Sequence, residues 1–253
     1  TDQEDIAFLL QTYDRIFSEQ AGRESGDQFD LAGTDEDGET AFLPQILDPS
    51  KYAPEINQSQ LLINATSIAK QLLGKEAICS FAHAILKPAK IGAETPWHQD
   101  AAYLDPNLVY RAISIWVPLQ GVTEENGCMQ FVPGSHKKDV LSHQSINNDP
   151  HIHGLELIPE EMKNVHDVNS CPLPAGGATI HDFYMLHHTP PNRSDIPRRA
   201  LILNVTIPAS TRSKPRKFHW MDEKKTAREK RAKDAAEVSA ELNYSLYRLV
   251  ILN

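Results

Sequence analysis

Apolar residues along this chain keep two different periods, and the switch between them falls at Gly74. Before it, Ile6, Leu9, Leu10, Tyr13, Ile16 and Phe17 recur at helical spacing over residues 5–19, behind an acidic first turn, which predicts an amphipathic helix. A second helix is predicted after Pro54, with Ile56, Leu61, Leu62, Ala65, Ile68, Ala69, Leu72 and Leu73 on its buried stripe and Gly74 as the stop signal. Between them, residues 21–39 are polar and rich in Gly and Asp, the composition of a surface loop. After Gly74 the apolar positions alternate, which predicts strands over 77–87, 110–118, 127–132, 177–183 and 200–207, with Ile113, Ile115 and Val117 sharing one face. Residues 142–170 show no clear strand and read as an insertion over the mouth of the fold. The tail reads as an exposed helix over 224–242, followed by an apolar segment, 244–252, able to dock.

Short strands without crossover helices between them favour a mainly β double-sheet jelly roll, cupin-like, with the front helices covering one sheet. One domain over 1–253 is expected: a mostly helical front (1–75), a jelly-roll core (76–207) carrying the 142–170 insertion, and a C-terminal extension (208–253). Composition narrows the class further. No run approaches the roughly 18 apolar residues of a membrane span, so no membrane anchor is expected. The opening residues lack the basic and apolar regions of a secretory signal, which predicts a cytoplasmic protein. A net charge of −9 works against nucleic-acid binding, although 212–233 is locally basic and reads as a solvated face. Three cysteines, an odd number with no CxxC pair, argue against a disulfide framework or a structural zinc cluster.

The chemistry concentrates in two stretches. In Trp97-His98-Gln99-Asp100, strand geometry puts His98 and Asp100 on the same face, because side chains alternate with period two. Alone, such a tripeptide is common. A second stretch raises its weight: a strand starting after Gly176-Gly177 delivers His187 at its far end, before Thr189-Pro190-Pro191-Asn192 must turn. Two imidazoles and a carboxylate on one face, with the opposite positions open, are the ligand set of non-haem iron(II) oxygenases. Arg198 follows eleven residues after His187. A hairpin would return it to the same pocket, where a guanidinium fork suits the carboxylate of an oxo acid. His188 competes with His187, since neighbouring strand residues face opposite ways and only one can be a ligand; the spacing to Arg198 favours His187. The pair His151 and His153 lies in the polar insertion and reads as solvated loop.

Four motifs in order carry a resemblance: Trp97-His98-Gln99-Asp100, Asn126-Gly127-Cys128-Met129, Val132-Pro133-Gly134-Ser135-His136-Lys137, and His187 followed by Pro191-Asn192-Arg193-Ser194-Asp195 and Arg198-Arg199-Ala200-Leu201. Over roughly 79–207 the chain resembles the phytanoyl-CoA dioxygenase family of iron(II)- and 2-oxoglutarate-dependent oxygenases, whose fold is the double-stranded β-helix. The resemblance implies that His98, Asp100 and His187 hold Fe(II) and that Arg198 meets the distal carboxylate of 2-oxoglutarate, with O2 as co-reactant. It places Gln99 and Trp116 near the cosubstrate and Lys87-Pro88 beside that pocket. His83 shares a strand face with Ile85 and Lys87, so it either looks into the barrel or is a packed core histidine.

The reaction so implied is hydroxylation, or another oxidation, of an unactivated C–H bond in a small metabolite or natural-product intermediate, releasing succinate and CO2. Asp100 favours hydroxylation, because relatives that halogenate carry a small residue there. Tyr103 and Tyr110 are candidate substrate contacts, and oligomeric state is not legible. An acyl-CoA or acyl-carrier thioester substrate is the alternative, with Lys137, Lys138 and residues 212–217 as phosphate contacts. A jelly-roll module that binds metal without turnover, or a cupin-like isomerase, is the rival class; neither needs Arg198.

Overall fold

The computed structural model describes residues 1–238, the side chain of Ser80 excepted, so the apolar segment 244–252 lies outside the described residues. In chain order the strands are β1 (Gln28–Asp30), β2 (Pro44–Leu47), β3 (Ile78–Lys87), β4 (Thr95–His98), β5 (Leu108–Val109), β6 (Ala112–Pro118) and β7 (Met129–Phe131). They continue as β8 (His143–Ser145), β9 (Leu155–Leu157), β10 (Asn169–Cys171), β11 (Thr179–Asp182), β12 (His187–Thr189), β13 (Arg198–Thr206) and β14 (Ser210–Thr211). A six-stranded sheet runs β1-β2-β3-β13-β6-β11 and a four-stranded sheet runs β10-β7-β12-β4, all antiparallel, which makes the jelly roll.

Helices α1 (Gln3–Ser18) and α2 (Gln60–Leu73) cover the outer face of the large sheet. Asp2 caps α1 by accepting from the Asp5 N–H, and Asp5 in turn accepts from the N–H groups of Gln60 and Leu61 at 2.9 and 2.8 Å. One carboxylate thus satisfies two orphan donors of the next helix, alongside Ser59, whose Oγ takes the Leu62 N–H. Against these helices pack Ile113, Ile115 and Val117 of β6 and Leu201, Leu203 and Val205 of β13. Their alternates Ser114, Trp116, Ile202 and Asn204 line the interior cavity, as period-two alternation requires. The buried stripe of α2 is narrower than its pattern suggests: Leu61, Ala65 and Ala69 are buried, while Ile68 and Leu72 are exposed.

Three regions differ from the sequence reading. Residues 21–39 contain β1, wholly buried at the sheet edge, where the Asp30 carboxylate accepts the N–H groups of Ala32, Phe42 and Leu43. The 142–170 insertion holds the hairpin β8/β9 and the start of β10. Strands this short carry too few alternations to be distinguished from loop. The strand expected to run from Gly177 to His187 is broken: β11 ends at Asp182 in the large sheet, and after a turn β12 begins in the small one. His187 and Arg198 therefore stand on opposite sheets and not on one hairpin.

Beyond β14, residues 219–222 form α3 (His219–Asp222), and 227–238 are helical, here α4. Asp35, buried, pairs with both Arg23 and Arg231, which ties α4 to the 21–39 region. No helix among the described residues is long and apolar enough to cross a membrane.

Candidate active site

β4 ends at His98, and Gln99 continues extended (φ −124°, ψ 132°) before Asp100 opens a 3-10 turn. His98 and Asp100 consequently point the same way. Across the small sheet, His187 is the register partner of His98. The Nε2 atoms of His98 and His187 lie 3.7 and 3.5 Å from Asp100 Oδ1, and one donor atom from each residue falls within 4.8 Å of the others. Each ring turns Nδ1 to the carbonyl two residues before it, Pro96 at 2.7 Å and Met185 at 2.9 Å. The proton is therefore on Nδ1 and the Nε2 lone pair is directed at the shared point, the tautomer a metal needs.

Charge states agree. Burial lowers the pKa of His98 and, more strongly, of His187, keeping both neutral. Burial opposes ionisation of Asp100, but His187, His181 and His98 outweigh it and hold the carboxyl well below the usual carboxylate range. Two neutral imidazoles and an ionised carboxylate on one face are a donor set suited to a divalent ion, since ligand bonds of about 2.1 Å at right angles place donors roughly 3 Å apart.

The three donors line a cavity of about 360 Å³ between the sheets. Arg198 lines it too, 1% exposed, its guanidinium 5.4 Å from the Trp116 ring centroid. Burial lowers its pKa only to about 10, so it is a cation at neutral pH. Its Nε and Nη1 are buried with no hydrogen-bond partner. Arg199, beside it, faces out and pairs with Asp14. A buried cation without a counter-charge is costly, so the site calls for an anionic ligand. Both halves of the arrangement fit: a donor face for iron and an unpaired guanidinium for an oxo acid.

Other expected residues fall in several places. Trp116 forms the wall beneath Arg198, and His83 and Tyr103 line the cavity. Gln99 does not: it is fully buried on the opposite face, donating to the Tyr184 carbonyl and accepting from the Leu141 N–H. Alternation puts it there, between two inward residues. Lys87 is also outside the cavity. Its Nζ donates to the carbonyls of Ala93, Thr189 and Pro190 at 2.7, 3.1 and 2.7 Å, and burial followed by the Arg198 charge pushes its pKa well down. Lys87 thus braces the turn after β12. Tyr110 is half-buried away from the cavity, in a satellite cluster with Phe218 and Trp220. His188 stacks on Trp97 and pairs with Glu94 at 3.1 Å, outside the ligand set.

Lys137 and Lys138 are exposed, and Arg212 and Arg216 are paired with Asp139. Asn192, within the Pro-Asn-Arg-Ser motif, is fully buried and donates to the carbonyls of Lys87, Pro88 and Ile196. That motif builds the turn leading into β13.

One lining residue has no precedent in the sequence reading, and a second differs from it. His181, 5% exposed, has Nε2 3.6 Å from Asp100 Oδ2 and neither nitrogen hydrogen-bonded. Its signal is the Thr179/His181 alternation on a strand whose Ile180 faces out. His153 is not solvated as its polar surroundings suggest; only His151 is exposed. The His153 ring stacks on Tyr103, and burial keeps its pKa well below the usual value. From the other side Arg228 and Glu229 of α4 reach the cavity. Only the packed chain brings these together.

A jelly roll with this donor face and an opposing buried cation has the architecture of the iron(II)- and 2-oxoglutarate-dependent oxygenases. Residues 1–200 match the phytanoyl-CoA dioxygenase (PhyH) family, and the chain belongs to that family. Among solved structures, EvdO2 from Micromonospora carbonacea var. aurantiaca is 36% identical with a TM-score of 0.72, covering 87% of this chain and 88% of its own. That protein has also been solved with 2-oxoglutarate. A probable alpha-ketoglutarate-dependent hypophosphite dioxygenase from Stutzerimonas stutzeri is 27% identical over 165 residues, covering 65% of this chain and 57% of the relative. Phytanoyl-CoA dioxygenase domain-containing protein 1 from Danio rerio is 30% identical over 123 residues, covering 48% of this chain and 42% of the relative. The chain spans about half the length of the curated relatives it matches.

Proposed function

We propose that this chain is an iron(II)- and 2-oxoglutarate-dependent dioxygenase that hydroxylates a C–H bond of a small organic molecule. In the balanced reaction, substrate, O2 and 2-oxoglutarate give hydroxylated substrate, succinate and CO2. The observation that carries this reading is the buried Arg198, with Nε and Nη1 unpartnered, in the same cavity as the His98–Asp100–His187 face. Iron with the oxo acid and O2 supplies the oxidising chemistry when bound. The chain's own residues do the rest. His98 and His187 present Nε2 lone pairs fixed by their Nδ1 bonds, and Asp100 presents Oδ1 while Ser114 holds Oδ2 at 2.5 Å. Arg198 offers two N–H donors to the distal carboxylate, and Trp116, Met129 and Ile202 wall that end against water.

A thioester with a long phosphate arm has less support. Arg228, which lines the cavity, is engaged by the Gly26 carbonyl and the Phe29 ring. Lys224 donates to the His153 carbonyl, and burial lowers its pKa to about 8.

Arg198→Ala is expected to weaken 2-oxoglutarate binding at least about thirtyfold by calorimetry, the cost of removing one member of a buried charge pair. Iron(II) affinity should stay within a few-fold. Unchanged 2-oxoglutarate affinity in the variant would overturn the reading.

A further inference from the structure

One part-buried hydrogen-bonded chain leads from the ligand carboxylate to His83 on the cavity wall. Ser114 Oγ lies 2.5 Å from Asp100 Oδ2 and 2.9 Å from Asn204 Oδ1, and Asn204 Nδ2 lies 3.0 Å from His83 Nε2. As drawn, Ser114 faces two acceptors, yet a hydroxyl has a single proton. Two oxygens at 2.5 Å need a proton between them, and a carboxylate that ligates a metal is deprotonated and has none to give. Ser114 therefore donates to Asp100 and must accept from Asn204. That turns the amide round: its NH2 faces Ser114 and its carbonyl oxygen faces His83. The two ends of an amide have the same shape, and the network decides between them.

The consequence falls on His83. A carbonyl oxygen opposite Nε2 requires the proton on Nε2, and a neutral imidazole carries only one N–H. Burial keeps this ring neutral, its pKa lowered to about 4. Nδ1 is then a bare lone pair. It is buried without a hydrogen-bond partner, on a side chain that lines the cavity. An acceptor so placed is costly unless something donates to it.

We propose that His83 is a substrate-binding residue whose Nδ1 accepts a hydrogen bond from a hydroxyl or N–H group of the substrate. The chain Asp100–Ser114–Asn204–His83 holds that acceptor in register with the metal face, so the bond selects donor-bearing substrates and fixes which carbon is presented. This rests on the oxygenase reading above and concerns its specificity.

The test uses the full chain with 15N-labelled histidine, carrying zinc(II) as a diamagnetic stand-in for iron(II), together with 2-oxoglutarate. Two-bond proton–nitrogen correlations should show the His83 signals, assigned by their loss in His83→Gln, with protonated Nε2 and unprotonated Nδ1. A protonated Nδ1 overturns the proposal. The probe pair is cyclohexanol and methylcyclohexane, similar in size but differing in the donor. Cyclohexanol should move the Nδ1 resonance and bind about three- to tenfold more weakly to His83→Phe, the range of one neutral hydrogen bond. Methylcyclohexane should do neither. Equal responses to both probes, or no response to either, also overturn it. The oxygenase reading fails separately, through Arg198→Ala and 2-oxoglutarate affinity.

Discussion

Asp100 divides its two oxygens between two tasks, and that division governs the site at the level of single residues. Oδ1 faces the two Nε2 atoms, and Oδ2 is held by Ser114. Ser114 touches no metal donor position itself, so its loss should act through the orientation of the carboxylate. Ser114→Ala is expected to lower iron(II) affinity about ten- to a hundredfold in a chelator competition, the usual effect of removing an outer partner of a ligand. An affinity within twofold of the parent would show that Asp100 needs no such restraint.

At the level of elements, one side chain of the first helix caps the start of the second. Asp5 of α1 accepts the first two N–H groups of α2, which otherwise have no partner. Asp5→Ala should destabilise the chain by about 1–2 kcal/mol in urea unfolding, while Asp5→Asn should retain part of the cap. Equal stability of Asp5→Ala and the parent would assign the capping to Ser59 alone. The elements also explain why the ligand triad straddles a sheet. The break after β11 transfers the chain to the small sheet, where His187 meets His98.

Across the whole molecule, the interior is rich in neutral imidazole. Burial lowers His83 to about 4 and His143 to about 3; His143 Nε2 accepts the Gln99 N–H. Both lie below the unfolded value of about 6.5. Between those values the unfolded chain binds protons that the folded chain does not. The stability so contributed is complete above about pH 6.5 and is lost as pH falls through the folded pKa values. Metal-free protein should therefore show a urea midpoint that drops from pH 7 to 4.5, its unfolding free energy falling with a slope approaching about 1.4 kcal/mol per pH unit for each histidine. His83→Gln should flatten that slope. A midpoint independent of pH over this range would mean that these rings are hydrated.

Much of this architecture is legible in the linear chain, and the division between legible and hidden is physical. Periodicity is a local property. Long elements such as α1, α2, β3, β6 and β13 repeat it often enough to be read, and the His98-Gln99-Asp100 spacing follows from the same alternation. The turn after His187 and its spacing to Arg198 offered the other two residues, and the family motifs implied their roles. Three-residue strands such as β1, β8 and β9 contain at most one repeat, so residues 21–39 and 142–170 read as loops. Side-chain partners are not local at all. Gln99 and Lys87 resemble cosubstrate contacts until packing gives each its backbone partners, and His153 resembles a solvated residue until Tyr103 and Phe29 close around it. Sequence alone determined the residue types of the metal face and the helix–strand order. Tertiary structure decided which imidazoles face the cavity, that Arg198 stands across from the triad on the other sheet, and that His83 is tied to Asp100 through Ser114 and Asn204. The reason is that charge, tautomer and hydrogen-bond direction depend on neighbours up to 208 residues distant, as between Arg231 and the Arg23 carbonyl, and those neighbours exist only once the chain has packed.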